Sequence, residues 1–205
     1  MAPATTALII INVLVYLAEL SGGGMRLIEL FALWPPSSGP GLGPGFEPWQ
    51  LVTYAFLHDP RSWLHIAFNM FALYTFGRDL ERLFGTVWYL EYYFASVVSA
   101  AVCHLLVTAW MGANALPTLG ASGGVYGLLL AFGYYFPKRT VILLIPPIPM
   151  PARVFVIIFA ALELFLGVTG TMAGVAHFAH LGGMLGGFMT IQYWRGRWPF
   201  ARPRW

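Results

Sequence analysis

Two short motifs hold residues that could carry hydrolytic chemistry. The first, Gly120-Ala121-Ser122-Gly123, sets a serine between small residues at the start of an apolar segment. The second, Ala179-His180-Leu181-Gly182-Gly183, sets a histidine in another apolar segment. A serine hydroxyl is a weak nucleophile until an adjacent base takes its proton, and histidine is the most frequent base. The two motifs therefore predict a nucleophile, Ser122, and its general base, His180.

A second polar pair points to the same chemistry. His65 and Asn69 are four residues apart, so they lie on one face of a helix. Two polar side chains on one face of an apolar helix are costly and generally face a cavity. A nucleophilic serine needs donors aimed at the oxyanion, and His65, Asn69 and the Ser122 backbone N–H suit that role. Hydrogen bonding between helices is the competing explanation for Asn69.

Composition places these motifs in a membrane. Of the 205 residues, 59% are hydrophobic and only 9% are charged, whereas soluble domains carry roughly 25% charged residues. This excludes a soluble globular domain. The net charge of +3 is small, and the basic residues gather at helix ends, which indicates membrane topology rather than nucleic-acid binding. Cys103 is the one cysteine, so no internal disulfide is possible.

The apolar segments predict an all-α, polytopic membrane protein with a single domain over residues 1–205. Six spans are expected, over about residues 5–21, 62–79, 86–109, 122–136, 152–170 and 175–193. The long first loop, residues 22–61, is rich in Gly and Pro but also in aromatic residues. We expect it to fold at the membrane interface, where Trp is favoured.

The basic residues predict which side of the membrane each loop occupies. If the N-terminus is cytoplasmic, nine basic residues lie inside and two outside, the latter being Arg26 and Arg61. The inside set is Arg78, Arg82, Lys138, Arg139, Arg153, Arg195, Arg197, Arg202 and Arg204. Because cytoplasmic loops carry an excess of Lys and Arg, both termini should be cytoplasmic and the long first loop extracytoplasmic.

The fourth span is unusually short. From Ser122 to Phe136 it covers about 15 residues, or roughly 22 Å at 1.5 Å per residue, less than the roughly 30 Å of a hydrocarbon core. Ser122 should therefore lie below the outer surface, and residues 112–119 should descend to it as irregular backbone. Such backbone is tolerated where protein or a water-filled cavity satisfies it. A polar cavity open to the outside, with Ser122 at its floor, is the expectation.

Small residues surround both motifs, including Gly120, Gly123 and Gly183. Small faces let two helices approach closely, which would bring the Ser122 hydroxyl within reach of the His180 imidazole. Packing alone is the competing explanation, since such patterns are common in membrane helices.

The motifs, taken together and in order, resemble those of rhomboid intramembrane serine proteases. That family carries His-x-x-x-Asn in its second helix, Gly-x-Ser-Gly at the start of its fourth and Ala-His-x-x-Gly in its sixth. This chain has His65-Ile66-Ala67-Phe68-Asn69, then the Ser122 motif, then the His180 motif. The resemblance covers nearly the whole chain, including the long first loop and the short fourth helix.

The resemblance implies a role for each residue. Ser122 and His180 would form a catalytic dyad without a carboxylate, and His65, Asn69 and the Ser122 amide would form the oxyanion hole. Tyr126 resembles the aromatic residue that packs against the catalytic histidine. Two further segments resemble family features of structural role: the charged turn Arg78-Asp79-Leu80-Glu81-Arg82, and Glu47-Pro48-Trp49-Gln50, where Gln50 replaces a frequent Arg.

The expected activity is intramembrane endopeptidase cleavage of single-pass or polytopic membrane proteins, through an acyl-enzyme and without metal or cofactor. The alternatives are a catalytically inactive relative that binds membrane clients, or a small transporter with polar sites in broken helices. A metalloprotease would need His-Glu-x-x-His, which is absent. An aspartyl protease would need two membrane aspartates, whereas Asp59 and Asp79 lie near span ends on opposite sides.

Several positions stay open at this level. Glu163 falls inside the fifth span without an obvious basic partner, and His177 is interpreted as lining the cavity mouth or contacting a loop. His58 and His104 are interpreted as interface or packing residues. The bulky fifth span is the expected gate for substrate. The first residues lack the Lys or Arg of a cleavable signal peptide, and the absence of a targeting segment favours a prokaryotic inner membrane.

Overall fold

The structure is a computed structural model that describes residues 2–36, 44–111, 116–144, 146–170 and 176–197. Nine α-helices occur in these ranges: α1 Pro3–Ala18, α2 Gly24–Phe31, α3 Gln50–Thr53, α4 Trp63–Ala72, α5 Arg78–Phe84, α6 Thr86–Met111, α7 Ser122–Tyr135, α8 Ala152–Thr169 and α9 His177–Trp194. Two π-helical turns, Glu19–Gly23 and Leu73–Gly77, join α1 to α2 and α4 to α5, and a 3₁₀ turn, Tyr54–Phe56, follows α3.

Three helical segments are long and apolar enough to cross a membrane by length and composition: Pro3–Phe31, Thr86–Trp110 and Ala152–Thr169. Their outward faces carry large apolar side chains, such as Leu14 (60% exposed), Ile157 (61%) and Val168 (72%). Apolar side chains displayed in this way suit contact with lipid tails. The chain is therefore an integral membrane protein of mostly helical structure, and the count of six spans stays a prediction.

The first helix does not end where the sequence suggested. Helical backbone resumes after a kink at Gly22, whose φ is 99°, and α2 then runs over Gly24–Phe31. The expected loop over residues 22–61 therefore begins with a helix. The glycines of Leu20-Ser21-Gly22-Gly23-Gly24 are typical of a loop, but here one of them supplies the left-handed conformation that redirects the helix. Residues 37–43 of this loop lie outside the described ranges.

A β-hairpin interrupts the expected all-α fold. Strands β1 (Thr140–Leu144) and β2 (Pro147–Pro151) pair antiparallel between α7 and α8. Proline normally argues against a strand, because it cannot donate a backbone hydrogen bond. In β2 the prolines occupy every second position, at 147, 149 and 151. The backbone nitrogens of all three therefore point to the same edge of the strand, and β1 is the strand that pairs with β2 in the described part of the chain. Alternation of this kind keeps the missing N–H groups off the paired edge.

Helices α6, α7 and α9 form the centre of the bundle, and glycines set how closely they pack. A Cβ added to Gly183 of α9 would lie 2.0 Å from the Gly123 carbonyl oxygen of α7. A Cβ on Gly182 would lie 2.4 Å from the Cys103 Cβ of α6, and one on Gly186 would lie 2.3 Å from the Ser99 Cβ. Backbones meet here because these residues have no side chains, as in other small-residue contacts between membrane helices.

The irregular segment before α7 has its polar backbone satisfied by protein. Thr118 exchanges two backbone hydrogen bonds with Leu33, at 2.9 and 3.0 Å, and the Gly120 N–H donates to the Tyr54 carbonyl at 3.0 Å. The Thr118 hydroxyl also contacts His104 Nε2 at 2.7 Å, which gives His104 a packing role. Of the expected irregular stretch over residues 112–119, the first four lie outside the described ranges.

Glu81 of α5 fastens the N-terminus of α1. Its carboxylate accepts hydrogen bonds from the backbone N–H groups of Ala4 and Thr5, at 2.9 and 2.8 Å, and from the hydroxyls of Thr5 and Thr86. These N–H groups have no partner within their own helix, and a carboxylate at a helix N-terminus is also favoured by the helix dipole. Burial alone would raise the pKa of the Glu81 carboxyl, but the hydrogen bonds outweigh burial and lower the pKa.

We predict that Glu81→Gln lowers the free energy of unfolding by about 1–3 kcal/mol, the usual value of hydrogen bonds to a charged group. Because folding lowers this pKa, the carboxylate stabilises the fold above the unfolded pKa of about 4.3, and its contribution is lost as pH falls through the folded pKa. The difference between wild type and variant should therefore shrink below about pH 4. Thermal unfolding in detergent at several pH values measures it, with the exposed Glu29→Gln as control.

Candidate active site

Ser122 is the first residue of α7, and His180 lies one turn into α9. The His180 Nε2 is 2.9 Å from the Ser122 Oγ, which is hydrogen-bond distance. Ser122 is half-buried and His180 is buried. Ser122 is thus at a helix N-terminus, where backbone N–H groups lack partners within the helix and the helix dipole favours negative charge. The structure therefore joins the two residues that the motifs singled out.

Tyr126 orients the imidazole from one side. Its ring stacks on that of His180, with centroids 4.2 Å apart and an angle of 5° between the planes. Tyr126 is one helical turn after Ser122 on α7, so a single short helix supplies both Ser122 and a flat surface for the His180 ring. The Tyr126 hydroxyl reaches past His180 and donates to the Glu163 carboxylate.

His65 approaches Ser122 through the space beside Gly120. A Cβ added to Gly120 would lie 2.8 Å from the His65 Nε2 and 3.8 Å from the Ser122 Oγ. The other ring nitrogen, His65 Nδ1, accepts a hydrogen bond from the Asp59 N–H at 3.4 Å. An imidazole that accepts at Nδ1 carries its proton on Nε2 when neutral, so His65 directs an N–H donor into the space next to the nucleophile.

His58 contacts His65 without adding charge. The two rings are edge to face with centroids 5.0 Å apart. Burial, helped by the neighbouring His65, lowers the pKa of His58 to about 3. A neutral His58 fills space behind His65, in agreement with its expected packing role.

Asn69 is buried on the same helix, but its side chain is directed along that helix. Its Nδ2 donates to the His65 carbonyl oxygen at 2.9 Å. An amide nitrogen carries two hydrogens, so one N–H of Asn69 does not take part in this bond. The bond lies within α4 and not between helices, so it is not the interhelical hydrogen bond of the competing explanation.

The structure adds two residues to the site that the motifs did not assign. Glu163 of α8 has one carboxylate oxygen, Oε2, 2.6 Å from the His177 Nδ1 and the other, Oε1, 3.0 Å from the His180 Nδ1. The sequence left Glu163 unassigned for want of an obvious basic partner, and the structure supplies His177 as that partner. His177 is only 6% exposed and pairs with Glu163. The three-residue spacing of His177 and His180 places them on one face of α9. This spacing was the sequence signal that the two histidines could share a partner.

Glu163, His177 and His180 are also the one described group of side chains whose ligand atoms lie close enough to hold a metal, all within 4.8 Å. Two ligands of a tetrahedral zinc at roughly 2.0–2.1 Å from the ion are about 3.3 Å from one another. The 2.6 Å between His177 and Glu163 is instead the distance of a direct charge-assisted hydrogen bond. The arrangement fits proton sharing better than metal ligation.

Gln50, which stands where the family often has Arg, makes neutral hydrogen bonds. Its Oε1 accepts from the backbone N–H groups of Trp34 and Glu47, both at 3.2 Å. The buried amide therefore anchors two parts of the first loop to each other without a charge. The loop in turn holds Tyr54, whose carbonyl accepts from Gly120 beside the nucleophile.

Comparison with known proteins identifies the family. A family model described as the Rhomboid domain matches residues 45–197. The chain belongs to the rhomboid family. The resemblance drawn from the three motifs is thereby confirmed.

Rhomboid relatives come from several kinds of membrane. Rhomboid protein 1, mitochondrial, of Saccharomyces cerevisiae is 29% identical over 149 residues, which are 70% of this chain and 41% of that protein. Rhomboid protease GluP of Bacillus subtilis is 27% identical over 175 residues, 85% of this chain and 31% of that protein. Rhomboid protease GlpG of Yersinia pestis is 28% identical over 202 residues, 95% of this chain and 63% of that protein. The chain spans less than half of the first two relatives.

We predict that Gly120→Ala lowers the rate at which Ser122 reacts with a serine-directed fluorophosphonate by up to about 100-fold, the cost of a misplacement of roughly 1 Å. The new Cβ would collide with the His65 imidazole, and the φ of 125° at this position strains any L side chain.

Gly85→Ala is the matched control, because Gly85 also has a positive φ, 78°, but nothing lies within 4 Å of its added Cβ. The control should keep its reactivity despite similar backbone strain. Equal losses in the two variants would show that strain alone is responsible, and would contradict the role given to the space beside Gly120.

Proposed function

We propose that this chain is an intramembrane serine endopeptidase that cleaves transmembrane segments of other membrane proteins through Ser122 and His180. The observation that carries the proposal is the 2.9 Å contact between the Ser122 Oγ and the His180 Nε2, in a rhomboid chain with relatives named proteases. A hydroxyl hydrogen-bonded to an imidazole that is held by a third group is the usual arrangement of an activated serine.

The reaction follows from this geometry. His180 Nε2 takes the Ser122 proton while Oγ attacks the peptide carbonyl, and the carbonyl oxygen becomes an oxyanion. The C–N bond then breaks, His180 gives its proton to the leaving amine, and Ser122 is left as an ester. Water attacks the ester with His180 again as base, which releases the acid and restores the serine. No step requires a metal or cofactor.

The oxyanion is assigned to the space beside Gly120. His65 Nε2, the remaining N–H of Asn69 and the Ser122 backbone N–H are the donors assigned to it, because each lies on an element that borders that space. Donors that are fixed in advance in a water-poor site contribute much of the stabilisation of such an intermediate. The Gly120 N–H donates to the Tyr54 carbonyl, which fixes the backbone on that side of the proposed hole.

Substrates on this proposal are single-pass or polytopic membrane proteins whose helices unwind locally into the site. Gly or Pro near the cleavage point should ease unwinding, because both residues weaken a helix. The bilayer is part of the machinery because it delivers the substrate laterally. A prokaryotic inner membrane was expected from the sequence alone, and the relatives do not support it, because some of them are named mitochondrial.

We predict that fluorophosphonate labelling of the purified protein is lost in Ser122→Ala and falls by roughly 10²–10⁴-fold in His180→Ala, the usual contribution of a general base. Labels are read on gels and located by mass spectrometry, and thermal unfolding shows that each variant is folded. A folded wild type that does not react, yet retains bound membrane proteins, would support an inactive client-binding relative. Reaction elsewhere than Ser122 would also contradict the proposal.

We further predict that Asn69→Ala lowers kcat by roughly 10²–10³-fold with little change in KM, because a donor to the oxyanion acts only after attack on the carbonyl. Cleavage of a fluorogenic transmembrane substrate measures both constants. An unchanged kcat would remove Asn69 from the hole and leave it with its structural hydrogen bond to the His65 carbonyl.

A further inference from the structure

Glu163 is a carboxylate inside a membrane helix, and it lies directly behind the imidazole of His180. We propose that Glu163 is the positioning residue for His180, so that the site works as Ser122, His180 and Glu163 rather than as the carboxylate-free dyad implied by family resemblance. This inference rests on the proposed function, because it concerns the same base.

Burial is the first argument. Glu163 is 6% exposed, and an isolated carboxylate cannot be held ionised at such a depth without partners. Three neighbours are the partners of the Glu163 carboxylate. The His177 Nδ1 lies 2.6 Å from Oε2, the Tyr126 hydroxyl donates to Oε1, and the His180 Nδ1 lies 3.0 Å from Oε1. A carboxylate with two imidazoles and a phenol around it is compensated on both oxygens.

The position of the proton on His180 is the second argument. To accept the Ser122 proton at Nε2, neutral His180 must carry its own proton on Nδ1. The Glu163 Oε1 is the acceptor that faces this nitrogen, so it favours the reactive tautomer over the one with the proton on Nε2. In a serine triad, this is the work of the buried carboxylate.

Charge during the reaction is the third argument. When His180 takes the Ser122 proton it becomes an imidazolium inside a low-dielectric bundle, where an unpaired charge is costly. A carboxylate 3.0 Å from the Nδ1 lowers that cost at the moment the charge appears. This effect is larger in the transition state than in the resting enzyme, so it acts on kcat.

In the resting structure the Glu163 carboxylate is held in place by residues other than His180. His177 and Tyr126 both hold it by hydrogen bonds, whereas the His180 Nδ1 has no aligned hydrogen bond within the described part of the chain. The 3.0 Å approach is therefore an ion-pair contact that a small rotation of the imidazole would turn into a hydrogen bond. An acceptor fixed by two other residues is preorganised for the protonated base.

The test compares three substitutions at position 163 in the full-length protein in detergent. Glu163→Gln keeps the shape and removes the charge, Glu163→Asp keeps the charge on a shorter stem, and Glu163→Ala removes both. Readouts are kcat and KM for a transmembrane substrate and the rate of fluorophosphonate labelling at Ser122. We expect Glu163→Gln and Glu163→Ala to lose roughly 10²-fold or more in kcat with KM changed little, and Glu163→Asp to recover part of that loss.

Glu81→Gln is the matched control, because it makes the same chemical change at another buried carboxylate, at the α1 end of the bundle and not in contact with the dyad. All variants are assayed well below their unfolding temperatures. A kcat for Glu163→Gln within about twofold of wild type, or equal losses in Glu163→Gln and Glu81→Gln, would overturn the inference. Loss of wild-type activity with a chelator would assign Glu163, His177 and His180 to a metal. That result would overturn the inference as well.

Failure of the proposed function gives a different result. If folded wild type neither reacts with the fluorophosphonate nor cleaves substrate, both proposals fall together. If wild type reacts at Ser122 and His180→Ala does not, the proposed function stands whatever Glu163→Gln does. The position-163 series then decides the role of the carboxylate alone.

Discussion

The contact between the backbones of α7 and α9 is the constraint on which the site depends. Gly183 lies so close to the Gly123 carbonyl that no side chain fits between them. Gly123 directly follows Ser122, and Gly183 lies three residues after His180. In hydrocarbon, helices gain little from burying apolar surface against each other, so close van der Waals packing has to hold them. The separation of the helices that carry Ser122 and His180 is thus set by backbone contact rather than by flexible side chains.

Several polar groups inside this bundle form hydrogen-bonded sets that are anchored to backbone or to a second polar side chain. Glu81 satisfies the N-terminus of α1, Gln50 joins two parts of the first loop, and the segment before α7 is bonded to Leu33 and Tyr54. Water is scarce at this depth, so each unsatisfied group would cost several kcal/mol. The same requirement explains why the largest of these sets lies at the site: reactive groups must be polar, and each brings a need for partners.

Site residues that belong to short motifs could be predicted from the sequence. Site residues that are recognised only by their partners on other helices could not. Ser122, His180, Tyr126 and His65 lie in short patterns on defined helix faces, and in the structure they converge. Glu163 could not be assigned, because nothing on α8 itself indicates which face meets α9. The β-hairpin and α2 were missed for a local reason, since Pro-rich and Gly-rich stretches favour loops unless their prolines alternate or one glycine supplies a kink.

Helix α8 is the expected gate, and it also carries Glu163, whose carboxylate contacts His180. Its beginning is tied to the rest of the protein: the Arg153 N–H donates to the Pro137 carbonyl, and a Cβ on Gly133 would lie 2.5 Å from the Val156 side chain. Its other half carries Glu163, while the residues around it, such as Phe165 and Val168, are exposed. If this half swings outward to admit a substrate helix, Glu163 leaves His180 with it. A carboxylate on the moving element would then make the base fully competent only after the helix has closed on its substrate.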